Sequence, residues 1–146
     1  MRALVQRVSR ASVTIDGAIV GAIGPGLLVF LGIRSGDNPD SARQLAQKVI
    51  NLRIFEDDQG KLNLAVHQTG GEMLVVSQFT LYGETRKGNR PSFSEAAPAE
   101  IAKPLYDEFV NFCRRAIKVE TGVFQAFMRV ESVNSGPVTL LCSTDS

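Results

Sequence analysis

The opening of the chain alternates. Apolar Ala11, Val13 and Ile15 are spaced by Ser12 and Thr14, the period-two pattern of a strand with one buried face. Asp16-Gly17 predicts a tight hairpin, and a second strand follows over Ala18–Ile23. Gly24-Pro25-Gly26 turns the chain into Leu27–Ile33, a continuous apolar run suited to a central strand buried on both faces. The period then changes. Ala42, Leu45, Ala46, Val49 and Ile50 form one stripe of a helix that Asn38 or Asp37 caps and Pro39 begins. Extended structure resumes at Ile54-Phe55, Asp57-Asp58-Gln59-Gly60 reads as a turn, and Met73–Tyr82 reads as a strand. After a polar loop over Gly83–Ser92, residues Ile101, Leu105, Phe109, Phe112, Cys113 and Ala116 recur at helical spacing within Pro98–Ile117. Pro104 has no N–H to bond Glu100 and crowds that carbonyl, so the regular helix is expected to start near Lys103. Two last strands, about Phe124–Val133 and Val138–Ser143, are expected on either side of a turn at Asn134-Ser135-Gly136-Pro137.

This order, strand-rich with two helices inserted, predicts an α+β fold with mainly antiparallel sheets in a single domain over residues 1–146. A chain of 146 residues buries a sufficient core without disulfides. Cys113 and Cys142 lie in no CxxC or Cys/His pattern and are expected as buried thiols. The single histidine, His67, has no ligand-like neighbours in sequence, so neither metal nor cofactor is expected. No apolar run approaches the roughly 20 residues of a membrane helix. The first residues run straight into alternating sequence, so the expected location is cytoplasmic, with no membrane partner.

A formal charge of +1 argues against a protein that holds nucleic acid by bulk electrostatics. One local basic patch remains, Arg86, Lys87 and Arg90, which is either a solvated loop or a grip on an RNA backbone.

The usual catalytic kits are missing. There is no G-x-S-x-G elbow, no phosphate-binding glycine loop, and one histidine to serve any triad. Two segments stand out instead. Ser77-Gln78-Phe79-Thr80-Leu81 puts polar residues at the end of the apolar strand Met73–Val76. Alternation sets Gln78 and Thr80 on one face, and Ser77 joins them only where the strand twists, bulges or ends. Asn134-Ser135-Gly136-Pro137-Val138-Thr139 is the second, and nothing in its residues requires a cis proline.

Together these segments resemble the two hallmark motifs of the D-aminoacyl-tRNA deacylase family. The resemblance extends through Gln6-Arg7-Val8 with Ala11-Ser12-Val13, and through Gly24-x-Gly26-Leu27-Leu28-Val29. Arg53-Ile54-Phe55, Asn89-Arg90-Pro91-Ser92-Phe93, Thr121-Gly122 and Phe124-x-Ala126-x-Met128 carry it across nearly the whole chain.

The resemblance implies a sandwich-like barrel that works as a homodimer. It implies an enzyme that hydrolyses the ester of D-aminoacyl-tRNA, and of glycyl-tRNA, to free amino acid and tRNA. Ser77, Gln78, Phe79 and Thr80 would line one wall of each pocket, and Gly136-Pro137, held cis, would reach in from the other subunit. The paired carbonyl oxygens would bind the substrate ammonium and leave an L side chain no room, so selection works by steric rejection, an editing logic. Thr80 is the side-chain nucleophile candidate, but the motif holds no base to activate it. The family picture favours a role for the substrate's own 2′-hydroxyl, with backbone N–H groups near Phe79 and Thr80 meeting the oxyanion. Phe124 and Met128 would contact the adenosine, Arg86, Lys87 and Arg90 the tRNA backbone, and Arg7 would hold the Gly-Pro loop.

Departures from the family pattern fall at Ser135, where an acidic residue is frequent, and at Glu131-Ser132. Gln125 and Phe127 also depart, standing around Ala126 where small and polar residues are common. Two rival readings are a non-catalytic nucleic-acid binding module and a generic esterase using Thr80.

Overall fold

The computed structural model describes residues 1–145. Eight strands and two helices run in the order β1 (Arg2–Ile15), β2 (Ala18–Ile23), β3 (Gly26–Gly32), α1 (Pro39–Ile50), β4 (Phe55–Glu56), β5 (Leu62–Leu64), β6 (Glu72–Ser77), α2 (Ala99–Arg114), β7 (Val119–Thr121) and β8 (Arg129–Ser143). Short 3-10 turns occupy Val66–Gln68 and Phe79–Tyr82.

The main sheet is built on β1, which pairs antiparallel with β2, β3 and β8. Asp16 and Gly17 both have positive φ, the backbone twist that a two-residue hairpin between right-twisted strands demands. Beyond β3 the ladder becomes parallel, β3 to β6 and β6 to β7, because α1 and α2 lie in the connections. The sheet is therefore antiparallel around β1 and parallel at its far edge. It curls until β2 and β7 nearly meet: a Cβ on Gly21 would lie 2.6 Å from the Thr121 carbonyl oxygen, so only glycine fits the seam. This near-closure is the barrel character.

β3 is buried on both faces. Leu27, Val29 and Leu31 join the core under the helices, while Leu28 joins a second cluster inside the curl with Val8, Val13, Leu74 and Val76. In α1 the N-cap is Asn38, whose Oδ1 accepts from the Ser41 N–H at 3.0 Å, and Leu45, Ala46 and Val49 are buried. No helix among the described residues is long and apolar enough to cross a membrane.

Three expectations are corrected. The helix α2 starts at Ala99 and runs unbroken through Pro104, because Pro104 sits on the solvent side of its first turns, where water reaches the orphaned Glu100 carbonyl. Ile101 is exposed, and Ala102 takes its place on the buried face. The two expected final strands form one strand, β8, paired with β1 along its length, with a bulge where a turn was expected.

Cys113 and Cys142 are both free, and burial pushes the Cys113 thiol up to about 12, which keeps it an inert core residue. No group of three or more metal-binding side chains occurs among the described residues.

One polar cluster ties the ends of the fold together. The Met1 ammonium donates to Asp37, Thr144 and Asp145 at 3.0, 3.1 and 3.1 Å. Asp145 also accepts from Arg2 Nε at 3.0 Å and from the Tyr82 hydroxyl at 2.9 Å. Burial pushes the Asp145 carboxyl up, but the hydrogen bonds from Met1, Tyr82 and Arg2 outweigh it and hold the group below the ordinary range. A carboxyl with a depressed folded pKa contributes fully above its unfolded value, near about 3.9, and loses that contribution as pH falls through the folded value. Asp145→Asn is expected to cost about 1–3 kcal/mol at pH 7. In urea melts the difference from wild type should shrink as pH falls below about 4; an undiminished difference at about pH 2.5 would contradict the network.

Candidate functional site

Strand β6 ends at Ser77, and the chain tightens at once into the 3-10 turn Phe79–Tyr82. Alternation therefore stops where the motif begins, and Ser77, Gln78 and Phe79 all face one cavity. The turn is held from beneath. Gln78 N–H donates to the Leu31 carbonyl at 2.8 Å, and Gly83 N–H to the Thr80 carbonyl at 2.9 Å. Arg2 Nη1 donates to the Leu81 carbonyl at 2.9 Å, with its guanidinium 4.4 Å over the Tyr82 ring. At the surface the Gln78 side-chain amide donates to the Thr80 hydroxyl. Thr80 itself is exposed and lies outside the cavity lining.

The cavity has a volume of about 560 Å³, within the range of small-molecule sites. Leu31, Ile33 and Val76 form its floor, with Ala97, just before α2, and Ala99 and Ala102 within it on one side. The segment Phe124–Met128 closes the other side. Small alanines on the helix leave room for a flat ligand between it and that segment. Phe124 is half-buried, its ring 5.8 Å from Tyr106, and Tyr106 donates its hydroxyl to the Val75 carbonyl at 2.9 Å. Met128 packs toward the cluster inside the curl. No lining side chain is titratable. The cavity wall offers amides, one hydroxyl and backbone, with no carboxylate, amine or imidazole for acid–base work. His67 lies elsewhere, its Nε2 3.3 Å from Asn51 Oδ1.

The Gly-Pro segment is separate from this cavity within the subunit. Asn134 pairs with Val8 and Thr139 with Gln6, so the residues between them are pushed out of the ladder. Asn134 Nδ2 donates to Thr139 Oγ1 at 3.0 Å and closes the base of the loop. Arg7 enters the bulge, donating from Nε to the Ser135 carbonyl at 3.1 Å and from Nη1 to the Ile54 carbonyl at 2.9 Å. The Gly136–Pro137 peptide bond is cis, and both residues are exposed. Gly136 has φ +119°, and a Cβ there would lie 2.7 Å from Arg7 Nη2.

The basic loop is only partly available as positive charge. Glu84 binds the Arg86 side chain and backbone, and Arg86 in turn pulls the Glu84 carboxyl down to about 2. Lys87 and Arg90 are exposed and in no ion pair among the described residues. None of the three lines the cavity. Phe93, which the pattern of positions had not singled out, ties this loop to the site: its ring meets Phe79 edge-on at 5.1 Å between centroids. The aromatic at the end of Asn89–Phe93 was the available signal. Phe93→Ala is expected to cost about 1 kcal/mol and to speed tryptic cleavage after Arg86 or Lys87. An unchanged cleavage rate would mean that the loop is held by other contacts.

The family model described as D-Tyr-tRNA(Tyr) deacylase matches residues 4–143. Among curated proteins, D-aminoacyl-tRNA deacylase of Carboxydothermus hydrogenoformans is 54% identical over 142 residues, covering 97% of this chain and 98% of the relative. The protein of the same name from Anaeromyxobacter dehalogenans is 60% identical, with 97% and 95% covered. A solved structure named c-Myc DNA Unwinding Element Binding Protein superposes with a TM-score of 0.95 at 41% identity over all of both chains. Another, of a probable eukaryotic D-amino acid tRNA deacylase, has a TM-score of 0.83 at 18% identity over 97% of each chain, a likeness of fold.

Proposed function

The chain belongs to the D-Tyr-tRNA(Tyr) deacylase family, and from that premise we propose that it hydrolyses the ester linking a D-amino acid, or glycine, to the terminal adenosine of tRNA. The work is proofreading during translation, in the cytoplasm, by a homodimer of this single domain. The observation that carries the reading is a cavity of nucleoside size whose wall is the Ser77–Phe79 segment and which contains no titratable side chain.

In this reading the adenine lies between the α2 alanines and the Phe124–Met128 segment, with Phe124 and Met128 as its contacts. The ester then falls at the Ser77–Thr80 end. Water adds to the ester carbonyl carbon, the bond to the ribose 3′-oxygen breaks, and that oxygen leaves with a proton. The ribose 2′-hydroxyl orients the water, since the cavity wall has no base. The Phe79 and Thr80 N–H groups open a 3-10 turn, so no carbonyl of that turn engages them, and they meet the developing oxyanion. Thr80, its hydroxyl already bonded to Gln78, positions rather than attacks. Lys87 and Arg90, with Arg86 weakened by Glu84, meet the tRNA backbone.

Chirality is assigned to Gly136 and Pro137 of the partner subunit. An exposed backbone loop braced by Arg7 is a rigid edge against which an L side chain collides, while a D side chain points away and glycine has nothing to collide. A second reading, nucleic-acid binding without hydrolysis, is favoured by the 41% identical structure, which is named as a DNA-element binding protein. Incubation with D-tyrosyl-tRNA and L-tyrosyl-tRNA separates the two. Selective loss of the D ester is expected, and equal persistence of both sinks the deacylase reading. Gly136→Ala forces a strained φ and a contact with Arg7, and is expected to lower D-ester hydrolysis about 10- to 100-fold.

Thr80→Ala is expected to keep kcat within about tenfold of wild type. A substrate ending in 2′-deoxyadenosine should lose at least about 100-fold. The reverse pattern would make Thr80 the nucleophile.

A further inference from the structure

Between Thr121 and β8 the chain makes a tight turn, with Ala126 N–H donating to the Val123 carbonyl at 3.1 Å. Gln125 takes positive φ, 66°, a conformation uncommon for a residue with a side chain. The turn divides its aromatic residues. Phe124 goes inward against the main core, and Met128 inward against the second cluster. Phe127 goes outward and is 82% exposed, the most exposed large apolar side chain of the described residues, yet it edges the cavity.

A single exposed phenylalanine is ordinary on a protein surface. This one has a companion. The Arg129 guanidinium lies 6.0 Å from the Phe127 ring centre, and Arg129 forms no ion pair or side-chain hydrogen bond among the described residues. Several other cations around the sheet are held by carboxylates: Arg2 by Asp145, Arg10 by Glu131, Arg34 by Glu95 and Lys118 by Glu72. At the mouth of a cavity without charge, the structure thus holds an exposed aromatic ring beside a guanidinium that no carboxylate engages.

That combination fits one kind of ligand, a nucleotide: a base has a flat face for the ring, and a phosphodiester carries the negative charge for arginine. We propose that Phe127 and Arg129 form a subsite for the nucleotide preceding the terminal adenosine. Its base stacks on Phe127, and the bridging phosphate meets Arg129. The inference rests on the reading that the cavity takes the terminal adenosine. With adenine and ester both inside, the 5′ side of the ribose leaves through the open mouth that Phe127 borders. The subsite adds affinity for the RNA end without touching the reacting atoms, so its effect belongs in KM.

The test compares D-tyrosyl-tRNA with D-tyrosyl-adenosine, which lacks the preceding nucleotide. Phe127→Ala is expected to lower kcat/KM on the tRNA about 5- to 100-fold, through KM. Its loss on the short ester should be several-fold smaller, and Phe127→Trp should restore the tRNA value. Arg129→Gln should weaken tRNA use and flatten its salt dependence by slightly less than one logarithmic unit per unit. Equal loss on both substrates would make Phe127 a wall of the adenosine site and overturn the proposal, as would no loss on either. A Phe127→Ala protein that changes from dimer to monomer in light scattering would place the ring between copies and overturn it too. Should wild type hydrolyse neither ester, the deacylase reading fails by itself. The subsite is then judged by binding of a CCA trinucleotide against adenosine monophosphate. Tighter trinucleotide binding that Phe127→Ala abolishes upholds it, and equal binding by both proteins overturns it.

Discussion

The constraint on which the rest of the molecule depends is that β1 is paired on both edges. From Arg2 to Val8 it lies between β3 and β8, and from Ala11 to Thr14 between β2 and β8. A strand so enclosed cannot slip by one residue without turning its buried set, Ala3, Val5, Val8, Ala11 and Val13, toward the wrong face. Its fixed register also fixes two arginines. Arg2 reaches the Leu81 carbonyl at the end of the 3-10 turn, and Arg7 reaches the Ser135 carbonyl at the base of the Gly-Pro loop. Both hallmark segments, more than fifty residues apart in sequence, are therefore aligned by side chains five residues apart on one strand.

The parts of the fold that local chemistry decides were legible in the sequence. Asp16-Gly17 demands a hairpin, Asn38-Pro39 demands a helix start, and Leu27–Leu31 has too few polar residues for any strand but a central one. What failed was decided at a distance. Asn134–Pro137 has turn composition, and only the long partner β1 keeps the flanking residues in one strand. Pro104 has breaker chemistry, and only the placement of its ring on the solvent side makes it harmless. Neither fact is written in the local pattern.

For the site, the boundary falls elsewhere. Ser77 to Phe79 stood out because polar residues interrupted an apolar strand, and the end of β6 at Ser77 explains how three consecutive residues come to face one cavity. The opposite wall was invisible in advance. Ala99 and Ala102 matter for their small size, and alanine in a helix carries no other signal. Phe93 was visible only as part of the Asn89–Phe93 stretch, since its importance lies in the ring it touches. Arg86 was visible as charge, but its neutralisation by Glu84 depends on how the loop folds back.

A cavity with no titratable wall is a poor place for acid–base chemistry and a good place for discrimination by shape. On the proposed function the two properties are linked. A charged catalytic group facing the substrate would require its own desolvation and its own partners, and would favour some side chains over others. Backbone amides and a substrate hydroxyl carry no such preference, so on that proposal many D side chains are accepted and L ones are rejected at the loop that Arg7 braces. The cost of that neutrality is affinity, because an uncharged nucleoside pocket holds its ligand by stacking and neutral hydrogen bonds alone. Contacts outside the pocket must then supply the remainder, and a surface with a formal charge of +1 cannot supply it diffusely. It has to come from a few cations that no carboxylate holds. Lys87, Arg90 and Arg129 are in no ion pair among the described residues, while Arg2, Arg10, Arg34 and Arg86 are each held by a carboxylate.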